Sequence, residues 1–509
     1  MSPDDAPVES DATMAHGKLI CSIIVDSVPM ILVQCTTQLV VILTVMRLGR
    51  ESPEWLAGSS LGALVYNVAG LMLTVAPNLA MDSVAPQAFG GGRFVDVGLA
   101  AQRSVLTALL FLTPMAIVWF YAERLLMALG QPANAARLAT TFVHALIPAL
   151  PISAIFEASR KFLYAQDVSR PPLYAALFAL VLHPLWLELL CRAFGFVGGP
   201  LALLVTHSTM CVGLISLCAW RKPHKPGTWP GIRLRRLVSD RRACIRFLTL
   251  SLAALGSLSE WIFWEFVCFR VGRFGPIQLA ANGVAYSLLP LLYMVPLGLS
   301  IGMANAVGRK LGAGAIAECK RLAATTLALG VTIILTLSAS TYAARPLIFR
   351  LYTQSDDVVY IAEKLWPWLC IDLAFDNSFA LLSSLNRGLG LTRRSAACIV
   401  VCLWPLGVPL IIFGAASVLE VWRLMPIIYF TLDVTQIGCF TCASWTKLAE
   451  SVQLEASLAD GCGSSSTMTI SGSSSAAPPT PSSSGKGVAA AGVEVGELRS
   501  ASPPAPSPA

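Results

Sequence analysis

The stretch Leu258-Ser-Glu-Trp-Ile-Phe-Trp-Glu-Phe266 sets two carboxylates, Glu260 and Glu265, and two tryptophans, Trp261 and Trp264, inside a long apolar run. Such a run reads as a membrane-spanning helix, where an acid at mid-bilayer depth costs about 2.5–3.5 kcal/mol to insert and marks a functional site. A carboxyl group taken out of water can gain and lose a proton near neutral pH, which is the chemistry a proton-coupled carrier needs. On an ideal helix the five-residue spacing turns the two acids about 140° apart, so one cavity reaches both only if it is wide or the helix is distorted. The four-residue spacings put Trp261 with Glu265, and Glu260 with Trp264, on shared faces. A carboxylate beside an aromatic face suits an organic cation, through charge pairing and a cation–π attraction of about 0.5–2 kcal/mol.

The rest of the chain agrees with a membrane setting. Its 509 residues are 55% hydrophobic and only 13% charged, with a mean hydropathy of +0.68, too apolar for a soluble protein of this size. Apolar runs of about 20 residues or more recur between residues 20 and 445, each long enough to cross a hydrocarbon core. Twelve spans is the working count, and prolines inside them, Pro148 among others, are expected to kink them. The expected class is therefore all-α, a polytopic membrane protein. Residues 1–17, polar and acidic ahead of a span-length apolar run, do not fit a cleavable signal peptide. The fourteen cysteines read as small packing residues, and the one Cys-x-x-Cys, Cys439 and Cys442, has no second pair to complete a zinc site.

Charge placement fixes the expected orientation. With the N-terminus inside, inside segments carry 23 Lys and Arg against 11 outside, which places both termini in the cytoplasm. The longest internal polar stretch, 221–246, holds nine of them and reads as a basic cytoplasmic loop rather than a nucleic-acid site. It divides the chain into an N-lobe (18–220) and a C-lobe (242–447), joined by a linker (221–241). Phe89-Gly-Gly-Gly92 after span two and Leu311-Gly-Ala-Gly314 after span eight are offset by 222 residues, as are the starts of spans one and seven. Two six-span repeats share one orientation, so a cavity between the lobes is the expected substrate path. Residues 1–17, and the Ser-, Pro-, Ala- and Gly-rich tail 448–509, read as disordered.

Four stretches carry a family resemblance. They are Leu79-Ala-Met-Asp-Ser-Val-Ala-Pro-Gln-Ala-Phe-Gly-Gly-Gly-Arg93 with Gln102-Arg-Ser104; Ser259-Glu-Trp261 with Glu265; Tyr293-Met-Val-Pro-Leu-Gly-Leu-Ser300 leading into Leu311-Gly-Ala-Gly314; and Phe375-Asp376 followed by Leu385-Asn-Arg-Gly-Leu-Gly390. In that order they resemble the multidrug and toxic compound extrusion (MATE) family, in its eukaryotic branch, over roughly residues 20–447. The resemblance implies a two-lobe, twelve-helix antiporter that expels organic cations, drugs or secondary metabolites in exchange for protons. Sodium coupling, or a flippase for lipid-linked or amphipathic substrates on the same fold, is the alternative. Carried over by position, Glu260 and Glu265 match the family's acid pair in span seven, and Asp376 falls where animal members have a glutamate in span ten. Ser287 stands where animal relatives have a further glutamate, Leu43 where many bacterial members have a first-span aspartate, and Pro86 where the loop has glycine.

The expected coupling residues are thus Glu260, Glu265 and Asp376. The expected cavity lining is Trp261, Trp264, Tyr286, Ser287, Tyr293, Gln34, Asn67 and Asn377, although polar side chains also bond helices together. Asp82, near the end of span two and close in sequence to Arg93 and Arg103, reads with Gln87 as a salt bridge or gate. Gly58-Ser-Ser-Leu-Gly62 fits the nucleophile-elbow expression but opens a membrane helix without a preceding strand. The glycine loops lack a phosphate-binding lysine and serine, and no His pair has metal-ligand spacing. No catalytic residue, metal or cofactor is expected beyond the coupling ion, a proton or Na+. The expected partners are a small cationic or amphipathic substrate and membrane lipids, not nucleic acid, for a monomer in the plasma membrane or an acidic organelle membrane.

Overall fold

Each apolar run of the sequence is helical, and most of the breaks fall where proline, glycine or a capping hydroxyl stands. The structure, a computed structural model, describes residues 8–232, 237, 240–352 and 355–464. The first lobe comprises α1 (Val8–Gly49), α2 (Pro53–Tyr66), a π-helical turn (Asn67–Leu71), α3 (Met72–Gly90), α4 (Phe94–Phe120), the short α5 (Ala122–Ala128), α6 (Ala133–Leu146), α7 (Ala149–Tyr164), α8 (Arg170–Phe194) and α9 (Gly198–Arg221). The second has α10 (Arg241–Ser257), α11 (Ser259–Gly272), α12 (Pro276–Gly312), α13 (Ile316–Ala343), α14 (Arg345–Tyr352), α15 (Asp356–Gly388), α16 (Thr392–Val401), a π-helical turn (Cys402–Gly407), α17 (Val408–Gly414) and α18 (Val418–Thr441). A last helix, α19, covers Trp445–Ser464.

Local sequence explains the boundaries. Ser52 accepts a hydrogen bond from the Trp55 backbone N–H at 3.1 Å and Pro53 takes the first helical position of α2, a hydroxyl cap and a residue with no N–H to orphan. Ser417 caps α18 in the same way. Pro405 sits inside the second π-helical turn, where its missing N–H favours the wider turn.

Among the described residues nine helical stretches are long and apolar enough to cross a membrane, and α6 with α7, bent by 52°, make a tenth. One of the nine, Arg170–Arg221, is two crossings: α8 and α9 pack along each other after a reversal at Gly195, whose φ of 59° suits glycine. The 33-residue α15 also crosses, packed between α12 and α18, and its several charges keep its hydropathy below that of the others. This makes twelve.

The run 138–163 bends at Pro148 between α6 and α7, the kink expected of that proline. Two expectations change. Helix begins at Val8, inside the N-terminal segment read as disordered. At the other end the chain stays helical to Ser464, with Ala449 and Val452 buried and Gln453 against Gly314, so part of the expected tail is ordered. The disorder expected of residues 465–509 lies outside the described residues.

The repeat is written in the backbone. After α3, N–H groups of Gly91, Gly92 and Arg93 bond the carbonyls of Gln87, Phe89 and Ala88, and after α12 those of Ala313, Gly314 and Ala315 bond Arg309, Leu311 and Lys310. Gly92 and Gly314 have φ of 78° and 72°, the left-handed conformation that glycine tolerates. These two helix ends also cross. A Cβ on Gly90 would lie 2.0 Å from the Arg309 carbonyl oxygen, and one on Gly312 would lie 2.2 Å from that of Gln87. Gly90→Ala is therefore expected to hold the lobes apart at this end. Overpacking of about 1–3 kcal/mol would lower the closed population roughly 5- to 150-fold, read as faster thiol labelling of a cysteine introduced at Ser83.

Candidate functional site

Between the lobes lies a cavity of about 240 Å³, lined by Gln34, Thr37 and Gln38 of α1, Asn67 of the π-helical turn, Glu157, Arg160 and Lys161 of α7, Glu260 and Trp261 of α11, Tyr293 of α12 and Phe379, Ser383 and Arg387 of α15, among others. Its C-lobe wall holds Glu260. Glu260 is 5% exposed, and its Oε1 accepts from Trp264 Nε1 at 3.0 Å and from the Tyr429 hydroxyl of α18 at 3.0 Å. The Trp264 contact follows from the four-residue spacing on one helix. Trp264, Trp422, Tyr286 and Tyr429 pack ring against ring around it, an arrangement that fixes the carboxylate by neutral donors.

Glu265 turns elsewhere. It accepts from the Tyr286 hydroxyl of α12 at 3.2 Å and is not among the residues facing the cavity, as the 140° separation allows. Trp261 faces the cavity while Glu265 does not, so the face these two share is divided between cavity and α12. Of the residues expected as lining, Gln34, Asn67, Trp261 and Tyr293 are there; Trp264, Tyr286, Ser287 and Asn377 are not. Trp264 and Tyr286 support the acids from behind, Ser287 donates to its own helix at the Val284 carbonyl, and Asn377 is buried within α15.

Asp82 is the centre of a second constellation. Its partners are Lys161, at 2.5 and 2.7 Å to the two carboxylate oxygens, and Arg387, whose Nε stands at 3.9 Å. Arg93 and Arg103, its neighbours in sequence, pair instead with Asp96 at 3.6 Å and Asp240 at 3.7 Å, because they lie past the turn that ends α3. Arg387 belongs to the C-lobe, so the group ties the lobes together. Ser83 with Thr392 at 2.6 Å, Gln87 to the Gly388 carbonyl at 2.9 Å and Arg309 to Asp167 at 2.6 Å do the same. The end of the cavity beside these turns is closed.

Further charged residues are candidates here. Arg160 and Lys161, among the 23 inside Lys and Arg, are 5% and 3% exposed. Arg160 is held by Glu157 at 2.5 Å and by Gln34 at 2.6 Å across the lobe. On α15, Asp372 lies one turn before Asp376, and Asp433 lies one turn after Tyr429 on α18. Asp372 has no hydrogen-bond partner at either oxygen, and Asp376 and Asp433 lack one at Oδ1. Buried polar atoms left so require an explanation, and membrane acids by themselves were the signal that could have drawn attention to them.

Twelve crossings in two like-oriented repeats, enclosing a cavity with a base-free acid on its wall, define a polytopic secondary transporter rather than an enzyme. The chain belongs to the MatE family, whose profile matches residues 29–186 and again 253–413, once in each lobe. It is 26% identical over 437 residues to "Multidrug and toxin extrusion protein 1" of Homo sapiens, covering 84% of this chain and 76% of that protein. The protein of the same name from Oryctolagus cuniculus is 25% identical over 443 residues, covering 86% and 77%. Among solved structures, the eukaryotic MATE transporter AtDTX14 superposes with a TM-score of 0.79 at 21% identity, covering 87% of this chain and 99% of that one. The Vibrio cholerae MATE transporter VcmN in its bent form gives 0.71 at 15% identity, covering 87% and 99%.

Proposed function

We propose that the chain is a proton-coupled antiporter that exports organic cations or amphipathic metabolites, with both termini in the cytoplasm of a plasma-membrane or acidic-organelle carrier. The observation that carries this reading is the contrast among the acids at the cavity and just behind it. Glu157 and Asp82 are each held by a cation, Arg160 and Lys161, whereas Glu260 is held by the neutral donors Trp264 and Tyr429. An acid without a base can trade a proton for a cationic cargo. Asp376 lies within electrostatic reach of Glu260, Asp372 and Asp433, so a proton arriving at this group of acids has several seats behind the cavity wall. Glu265 serves beside them through Tyr286.

Proton and cargo then compete for one negative site, and exchange needs no ATP. A one-unit pH gradient, about 1.36 kcal/mol, supports roughly tenfold accumulation in a neutral one-for-one exchange. The flippase alternative is weakened by the same pairings, since Glu157 and Asp82 neutralise two of the bases that would attract a lipid phosphate.

Proteoliposomes loaded with a cationic dye test the reading. Dye should move against its own gradient when a pH gradient is imposed and stay when only a Na+ gradient is imposed. Movement with Na+ alone would replace the proton by sodium, and movement with neither would remove the exchange.

A further inference from the structure

We infer that the linker between the lobes, together with α4, α7 and α9, forms a seat for an anionic phospholipid from the leaflet on the linker's side. The observation is a second cavity, of about 520 Å³, outside the substrate path. Its walls are apolar side chains of three spans, Leu106, Ile155, Phe162 and Ile215 among them, and its roof is the linker, through His224, Trp229, Ile232 and Leu237. The size is that of a pocket for a substantial ligand.

The roof is built rather than loose. Gln102 Nε2 donates to the Gly231 carbonyl at 2.9 Å, the Lys225 backbone N–H donates to Gln166 Oε1 at 2.9 Å, and the Thr228 hydroxyl closes a turn onto the Lys225 carbonyl at 2.6 Å. Gly98 lets the linker touch α4: a Cβ there would lie 2.3 Å from the Thr228 carbonyl oxygen. Phe162 stacks edge-on to Trp229 with ring centres 5.8 Å apart and lies as close to His224.

What would fill such a space follows from its two ends. Leu106 and Ile215, 44% and 47% exposed on membrane-spanning helices, open it toward the hydrocarbon, so an acyl chain can enter sideways. Trp229 and Ile232 expose apolar surface on a polar segment, 45% and 78%, which an acyl chain would cover. At the other end the charge is positive. The described residues of 221–246 include six Lys and Arg and one acid, Asp240, and that acid is paired with Arg103. Arg221, Lys222 and Lys225 adjoin His224 in the linker, the Lys225 ammonium lying 4.0 Å over the Phe94 ring and the Arg221 guanidinium 4.5 Å over Trp220. His224 Nδ1 is buried without a hydrogen-bond partner. Burial first, and the charge of Lys222 second, push the His224 pKa down, so the neutral ring is free to hydrogen-bond a phosphate or glycerol oxygen. Apolar tail, polar contact and excess positive charge together describe an anionic phospholipid, each Lys or Arg near such a surface adding about fivefold to affinity. Seated there, the lipid would pin the linker to the N-lobe.

The test uses the purified full-length chain in detergent, titrated with phosphatidylglycerol or phosphatidylcholine, with bound lipid counted by native mass spectrometry and melting temperature followed in parallel. Phosphatidylglycerol should be retained at least about tenfold better and raise the melting temperature. Lys222→Gln with Lys225→Gln should lower the preference for phosphatidylglycerol by up to about 25-fold, two charges at about fivefold each. Ser159→Trp, and separately Leu106→Trp, should fill the cavity and abolish retention of phosphatidylglycerol; either folded variant suffices. Equal retention of the two lipids, or undiminished retention in a filled variant, overturns the assignment. None of these readouts involves transport, so the lipid seat and the exchange reading fail separately.

Discussion

Glu260→Gln is expected to lower pH-driven cargo exchange by roughly a hundred- to a thousandfold while leaving the protein folded. The side chain keeps its volume, and its carbonyl oxygen can still accept from Trp264 and Tyr429, which now converge on Oε1. Only the charge and the exchangeable proton are lost. A carboxylate about 4 Å from a cation in surroundings of effective dielectric about 20 contributes roughly 4 kcal/mol, close to three powers of ten at 1.36 kcal/mol each. A second readout separates this from a packing defect. Cargo binding to the wild type should weaken as pH falls, because protons occupy the same acid, and binding to Glu260→Gln should be weak at every pH. Glu265→Gln, whose carboxylate faces Tyr286 rather than the cavity, should keep more of the exchange. Wild-type rates from Glu260→Gln would remove the acid from the mechanism.

What could be read from the chain and what could not divide along sequence distance. The glycine turns that reach Gly92 and Gly314 announce the repeat because a left-handed residue after a helix needs glycine, and the structure gives both turns the same bonds. Glu260 beside Trp264 was legible from a spacing of four. Its other donor, Tyr429, is 169 residues away, and no local pattern links them. The same holds for Lys161, which is separated from Asp82 by 79 residues. A lysine next to an arginine and followed by a span boundary looks like a loop charge by composition, and only tertiary contact shows it buried. Asp372 and Asp433 were visible as acids in apolar runs but lay outside the motifs that focused attention on Asp376. Helix in 445–464 was hidden by the composition of the segment after it.

The buried ion group at Asp82 carries the other large effect. Lys161→Met should destabilise the protein by about 3–5 kcal/mol, the cost of leaving a buried carboxylate without its partner. Asp82 is 1% exposed and both its oxygens are bonded to the Lys161 ammonium. Arg387 is too far, at 3.9 Å from its Nε, to replace two direct bonds without moving, and it is already engaged with the hydroxyls of Ser383 and Ser384. Asp82→Asn should cost less than Lys161→Met, because the amide oxygen still accepts one bond from the ammonium, but it releases Arg387 and with it one tie between the lobes. The double change Lys161→Met with Asp82→Leu should recover part of the stability, since replacing a buried pair by apolar side chains is often neutral or better, but it leaves the buried Arg387 without its acid. It should not recover transport, because the closed end of the cavity would then lack the charge that Arg387 of the second lobe meets on the first. Melting temperatures of the three variants in detergent, set beside their exchange rates in proteoliposomes, separate the two roles. If Lys161→Met melts like the wild type, the ion group bears no structural load. If the double variant exchanges cargo at the wild-type rate, Asp82 has no part in closing the lobes.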